Sequence, residues 1–218
     1  MMASAARKSG TEQEARPVVI VVDDDVDLRD ALSSLFRSVG LDVSTFGSAA
    51  ELLQAKLPET PSCLVLDIRL PGVSGLDFQS QLGKSGIHLP VVFMTGHGDI
   101  PMSVRAMKAG AVDFLAKPFR DQDMLDSVMV AIERDRARRQ SQQSVTLVRH
   151  RYDGLTPREQ EVMTFVTKGL LNKQVAGEMK LAEITVKIHR GNMMKKMGAT
   201  SLADLVRMAE TLGLHSGR

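Results

Sequence analysis

Between residues 17 and 132, five short apolar runs alternate with segments whose apolar residues recur at helical spacing, and this alternation restricts the fold more than any other feature. The runs are 18–22, 42–46, 63–66, 91–94 and 112–115. After the first, Leu28, Ala31, Leu32, Leu35, Phe36 and Val39 fall on one helical face. After the second, "SAAELLQAKL" opens with a capping box from Ser48 to Glu51. Repeated βα units imply an α/β, doubly wound five-stranded parallel sheet covered on both faces, and such sheets bind ligands beyond the carboxyl ends of their strands.

The residues at those ends carry chemistry. Asp23, Asp24 and Asp25 follow the first run, Asp67 the third, Thr95 the fourth and Lys117 the fifth. Adjacent carboxylates repel, so the aspartate cluster is either a solvated loop or a place where a cation compensates the charge. Convergence of four strand ends on one crevice favours the cation. Mg²⁺, which takes one or two carboxylates with waters and a phosphate oxygen, suits this inventory better than zinc, for which no Cys/His cluster exists. A carboxylate beside Mg²⁺ can act as a nucleophile towards phosphorus, with Thr95 and Lys117 holding the other oxygens, and the product is an aspartyl phosphate.

The net charge of +2 conceals an asymmetry. Residues 17–132 hold 9 basic and 15 acidic side chains (−6), residues 133–151 hold 6 and 2 (+4), and residues 152–218 hold 10 and 7 (+3). A basic rear half suits a polyanionic partner, although a solvated surface has the same composition. No apolar run reaches membrane-spanning length. The polar residues 1–16 read as a disordered leader. Cys63, the single cysteine, sits in an apolar run and reads as a small buried hydrophobe, which with no disulfide framework points to the cytoplasm. A helix is expected to run through about Arg139, with a linker at 138–152 where Gln and Ser replace the earlier residues, followed by four helices.

"VVDDD", "LVLDIRLPGVSG", "VVFMTGHGD" and "AVDFLAKPF" together resemble the receiver domain of two-component response regulators over nearly all of residues 17–132, and "TGHGDIPMSVRAMKAGAVDF" resembles the FixJ subfamily in particular. The resemblance implies a flavodoxin-like receiver at 17–137 that uses Mg²⁺. It implies Asp67 as phosphoacceptor; Asp24, Asp67 and the Arg69 backbone carbonyl as metal ligands; and Asp23 holding a metal-bound water. Thr95 and Lys117 would be the switch hydroxyl and phosphate-pairing lysine, and Phe114 the aromatic that turns inward. A cis peptide is expected at Lys117-Pro118. Asp25 and Asp27 read as solvated or helix-capping, and His97 as an exposed loop histidine rather than a group over the phosphoryl site.

Residues 155–198 resemble the LuxR/NarL-type helix-turn-helix domain, here a small all-α four-helix unit at 153–218. Ala176 provides the small residue at the helix crossing, and Val175, Met179, Leu181, Ile184 and Val186 are expected to fix it. The second helix, 183–196, would enter the major groove. By resemblance Lys187 and Ile188 read bases, while Thr185, His189, Arg190, Lys195 and Lys196 contact phosphates. Two departures alter the pattern: Ala182 replaces a Ser cap, at about 1 kcal/mol, and Gly191 stands where a relative has a base-contacting Lys. The row Leu202, Leu205, Val206 and Ala209 is either core or a dimer seam.

These features imply a DNA-binding transcriptional regulator rather than an enzyme. Its implied partners are a sensor histidine kinase that phosphorylates Asp67, a second copy of the chain, promoter DNA and RNA polymerase. Two other readings stay open. An Asp-nucleophile phosphohydrolase would need a second acid near Asp67, where Arg69 stands instead. A binding module could also work without phosphate.

Overall fold

The computed structural model describes residues 16–96 and 100–214. The expected leader therefore lies, except for Arg16, outside the described residues, as does His97. The chain divides into two compact units between Arg138 and Arg139.

In the first unit the strands are β1 (Val18–Val22), β2 (Asp42–Phe46), β3 (Ser62–Asp67), a two-residue hairpin β4 (Arg69–Leu70) and β5 (Val73–Ser74), β6 (Val91–Thr95) and β7 (Asp113–Ala116). The helices between them are α1 (Val26–Ser38), α2 (Ala49–Gln54), α3 (Gly75–Lys84) and α4 (Ile100–Lys108). The main sheet has the order β2-β1-β3-β6-β7, and every pairing is parallel. The third, fourth and fifth expected strands are thus present with ends moved by about one residue, and Asp67 belongs to β3 itself. The short β4–β5 hairpin was not expected.

Alternate side chains of the central strands β1, β3 and β6 enter opposite cores. Ile20, Val22, Leu64, Leu66 and Phe93 pack with residues of α2, α3 and α4. Val19, Val21, Cys63, Val65, Val92 and Met94 pack with α1 and α5 (Asp121–Asp153). Burial on both faces explains why β1, β3 and β6 read as continuous apolar runs rather than alternating ones, whereas the edge strands β2 and β7 carry polar residues. Ser48 caps α2 by accepting from the Glu51 amide at 3.3 Å, and Glu51 returns the contact by accepting from the Gly47 amide at 2.9 Å. Cys63 is fully buried, and burial raises its thiol pKa, so it packs as the inert hydrophobe expected.

Helix α5 overturns one expectation. It continues through 139–152, where a helix end and linker were anticipated, and stops at Asp153, before Gly154. Gln, Arg and Leu are adequate helix formers, and no Gly or Pro interrupts residues 119–153. Ser144 and Thr146 donate their hydroxyls to the carbonyls of Gln140 and Gln142, each at 2.9 Å, so polar residues that signal a loop in sequence are satisfied inside the helix.

In the second unit, the end of α5 joins α6 (Pro157–Thr167), α7 (Asn172–Met179), α8 (Glu183–Met197) and α9 (Leu202–Thr211). Thr156 caps α6 in a full capping box with Glu159. The turn between α7 and α8 places Lys180 in the left-handed region at φ 54°. The core gathers Val162, Met163, Val166, Val175, Ala176, Met179, Val186, Met193, Met197, Leu205 and Ala209, with Val148 and Tyr152 of α5 packed against it. Leu205 and Ala209 are therefore core, while Leu202 is exposed.

Ile184 is a correction: it is 65% exposed rather than part of the α7–α8 crossing. Residues two apart on a helix point about 200° apart, so Ile184 and Val186 cannot both face inward, and Val186 takes the core position.

Candidate functional site

Strand register assembles the first site. Val22 pairs with Leu66, so Asp23 leaves β1 beside the end of β3, where Asp67 sits. On the other side, Asp67 pairs with Met94 and Thr95 with Ala116, so Lys117 emerges next to Thr95 and its amide donates to the Thr95 carbonyl at 2.7 Å. The order 2-1-3 reverses direction between β1 and β3, the switch point at which such sheets open a crevice. The expected cis peptide at Lys117-Pro118 is present.

Within the crevice, carboxylate oxygens of Asp23, Asp24 and Asp67 lie within 4.8 Å of one another; Asp23 and Asp67 are buried and Asp24 is exposed. Lys117 Nζ donates to Asp23 Oδ2 and Asp67 Oδ2, both at 2.7 Å. The other Asp67 oxygen accepts from the Arg69 amide at 2.9 Å, and Asp23 Oδ1 accepts from the Asp25 amide at 2.9 Å. Burial raises the Asp23 carboxyl above its ordinary range despite the bond from Lys117. Burial opposes the charge on Lys117, but its bonds to Asp23 and Asp67 outweigh this and raise its pKa. Three clustered carboxylates facing one ammonium leave excess negative charge, and an all-oxygen donor set of this kind fits a hard divalent cation. Asp25 is the N-cap of α1, accepting from the amides of Asp27 and Leu28.

Thr95 is buried at the end of β6, and Phe114 is half-buried on β7 against the core that includes Phe93 and Ala106. Gly75 closes the site from behind. Its amide donates to the Ile68 carbonyl at 2.8 Å, and a Cβ there would lie 2.5 Å from the Asp67 carbonyl oxygen. Nothing in the local spacing of "PGVSGLD" distinguished Gly75 from Gly72.

On α8, Val186, Met193 and Met197 face the core, whereas Glu183, Ile184, Lys187, Ile188, Gly191, Asn192, Lys195 and Lys196 are exposed. Thr185, His189 and Arg190 are half-buried. Ala182 caps the helix without a side-chain bond, as expected of alanine.

A family model described as the response regulator receiver domain matches residues 19–129, and one described as bacterial regulatory proteins, luxR family, matches residues 153–209. The chain belongs to the two-component response regulators. This response regulator is 61% identical over 204 residues to nodulation protein W of Bradyrhizobium diazoefficiens, covering 94% of this chain and 90% of that one. Its structure is similar to a low-resolution structure of the response regulator StyR, with TM-score 0.82, 47% identity, and coverage of 90% of this chain and 99% of that one. It is also similar to full-length FixJ from B. japonicum, with TM-score 0.54, 38% identity, and coverage of 90% and 97%. It joins a flavodoxin-like receiver to a LuxR-type DNA-binding domain, the composition of a transcriptional regulator. Among the described residues no helix is long and apolar enough to cross a membrane.

Three contacts of the response regulator's rear unit escaped the sequence. Lys196 Nζ donates to Glu159 Oε2 at 2.7 Å, tying the far end of α8 to the start of α6. Glu159 is buried, which opposes its charge, but bonds from Lys196 and Thr156 outweigh burial and hold its carboxyl below the ordinary range. Arg190 donates to Asn172 Oδ1 at 2.8 Å. Arg151 Nη1 donates to the Met197 carbonyl at 2.8 Å and so caps the end of α8. These partners lie 18 to 46 residues apart, beyond any periodic signal.

Proposed function

We propose that a sensor histidine kinase transfers a phosphoryl group to Asp67, and that this modification promotes dimerisation and promoter binding. An Asp67 carboxylate oxygen attacks phosphorus, the new O–P bond forms, and the N–P bond to the donor histidine breaks with the electron pair returning to the imidazole. Magnesium held by Asp24, Asp67 and the Arg69 carbonyl, with Asp23 through water, would neutralise charge on the incoming group. Lys117, already bonded to Asp67, is positioned to pair with a phosphoryl oxygen, and the Thr95 hydroxyl takes another while Phe114 turns inward. The single observation that carries this reading is the Lys117 ammonium 2.7 Å from both Asp23 and Asp67 beside a three-carboxylate cluster. No second acid adjoins Asp67 in "DIR", which argues against a phosphohydrolase that turns over.

Dimerisation through the α4–β7 face draws support from the exposed Ile100, Val104 and Met107 on α4. In the rear unit Lys187 and Ile188 read base edges, and Thr185, His189, Arg190, Lys195 and Lys196 contact phosphates, with Lys196 and Arg190 also engaged within the fold. RNA polymerase is the partner that a promoter-bound regulator addresses, and such work takes place in the cytoplasm. The test is incubation of the full chain with phosphorylated kinase and magnesium. One phosphoryl group mapped by mass spectrometry to Asp67, absent from Asp67→Asn, is expected; an adduct on another residue, or none, overturns the proposal.

A further inference from the structure

Ile184 and Ile188 form an apolar pair on the outer face of α8, 65% and 58% exposed. Ile184, Ile188, Gly191 and Lys195 follow one another at intervals of four, three and four, so they lie in one line along the helix, opposite the buried Val186, Met193 and Met197. A Cβ placed on Gly191 meets nothing within 4 Å, so the line beyond Ile188 is open. Lys187 lies to one side of it and Lys195 ends it; Lys187 has an exposed 3.6 Å pairing with Glu183, which a stronger anion would replace. The surface is thus a short apolar strip bordered by cations.

The cations select a polyanion, and the strip selects what that polyanion must display. In the major groove of duplex DNA the thymine C5-methyl is the apolar group on a base edge, while the other base-edge groups are hydrogen-bond donors or acceptors that an isoleucine cannot satisfy. Four residues of helix rise about 6 Å, close to two base-pair steps of about 3.4 Å each. We propose that Ile184, together with Ile188, reads the C5-methyl groups of thymines about two steps apart in the target duplex. This rests on the DNA-binding reading given above and adds the base chemistry of the target. Ile184 thereby becomes a specificity-determining residue, and the open line at Gly191 leaves that pair unshadowed by a longer side chain.

The test starts from a random duplex library selected with the full chain, magnesium and an acyl phosphate donor. The enriched duplex is resynthesised with deoxyuridine in place of each thymine in turn, which removes the methyl and leaves the pairing edge intact. Each of two uracil substitutions is expected to weaken binding about fourfold, the equivalent of about 0.8 kcal/mol for a buried group of that size. In Ile184→Ala one of those two losses disappears, while the salt dependence of binding stays unchanged because no phosphate contact is removed. Ile184 is exposed, so the variant keeps its fold, checked by circular dichroism; Ile184→Val retains the thymine preference. Indifference of the unsubstituted chain to uracil at every position overturns the inference and leaves the DNA-binding reading intact, as does an unaltered uracil penalty in Ile184→Ala. A variant whose defect is instead weaker self-association, with thymine preference retained, assigns the pair to a second copy of the chain and also overturns it. Failure to enrich any duplex sinks the DNA-binding reading, and this inference with it.

Discussion

Replacing Gly75 with alanine puts a Cβ 2.5 Å from the Asp67 carbonyl oxygen and 2.9 Å from Ile68 Cα, where ordinary contact begins at 3.4 Å. The backbone on either side must part by about 0.9 Å, the shortfall between 3.4 and 2.5 Å, and both neighbours are backbone atoms that cannot rotate away. Overpacking of this kind costs about 1–3 kcal/mol. Alanine at a helical position recovers about 0.5–1 kcal/mol by restricting the unfolded chain. The net expectation is a loss of up to about 2.5 kcal/mol, centred on about 1 kcal/mol, at about 3–6 °C per kcal/mol in the melting temperature of a unit this size. The displaced group is the backbone of the proposed phosphoacceptor, and misplacement by about 1 Å can cost a reaction as much as 100-fold. Calorimetry of the full chain, together with the initial rate of phosphoryl incorporation from an acyl phosphate, reads both effects. Gly83→Ala is the control, because it lies in the same helix with nothing within 4 Å of its Cβ, and it should stabilise by about 0.5–1 kcal/mol with an unchanged rate. A Gly75→Ala protein as stable as the Gly83→Ala control and phosphorylated at full rate would refute the reasoning.

Ala182→Ser supplies the missing side-chain cap of α8 and should raise the stability of the rear unit by about 1 kcal/mol in denaturant unfolding. Because the folded Glu159 carboxyl sits below its ordinary value of about 4.3, its contribution is present above that value and disappears as pH falls through the lowered one. Glu159→Gln should therefore cost about 2 kcal/mol near neutral pH, and the difference from the unsubstituted chain should shrink on acidification, read by urea unfolding at several pH values. Arg151→Ala removes the donor to the Met197 carbonyl and should cost about 1–2 kcal/mol, with faster amide exchange in the last turn of α8 seen by NMR. Asp24→Asn takes one charged oxygen from the carboxylate cluster, and titration calorimetry should show Mg²⁺ affinity lower by about tenfold or more.

What the sequence displays depends on how far apart the cooperating residues lie. The central strands are legible because burial on both faces leaves short, uninterrupted apolar runs, and the pocket follows because a parallel sheet delivers Asp23, Asp67, Thr95 and Lys117 to one edge through register alone. The Ser48–Glu51 box is legible at three residues' separation; the Lys196 bond to Glu159, at 37, is not. The length of α5 is hidden because Gln and Ser read as loop residues, whereas the hydroxyls of Ser144 and Thr146 are satisfied by carbonyls one turn back and glutamine is an adequate helix former. Apolar character alone is not a core signal at Ile184, which the helical angle separates from the buried Val186.

The outward position of Ile184 bears on how the two units divide stability from the proposed recognition. In the receiver, the groups proposed to do chemistry are themselves structural: Asp23, Asp67 and Thr95 are buried and fixed by strand register, so a substitution there perturbs both the fold and the reaction. On α8 the core is carried by Val186, Met193 and Met197, while Ile184, Lys187, Ile188 and Gly191 face outward with little packing to lose. Exposed positions tolerate exchange within about 0.5 kcal/mol. Under the proposed reading, target preference on this helix can therefore change by single exposed substitutions at about 0.5 kcal/mol or less, whereas a substitution in the proposed phosphoacceptor pocket also disturbs the buried edge of its own sheet.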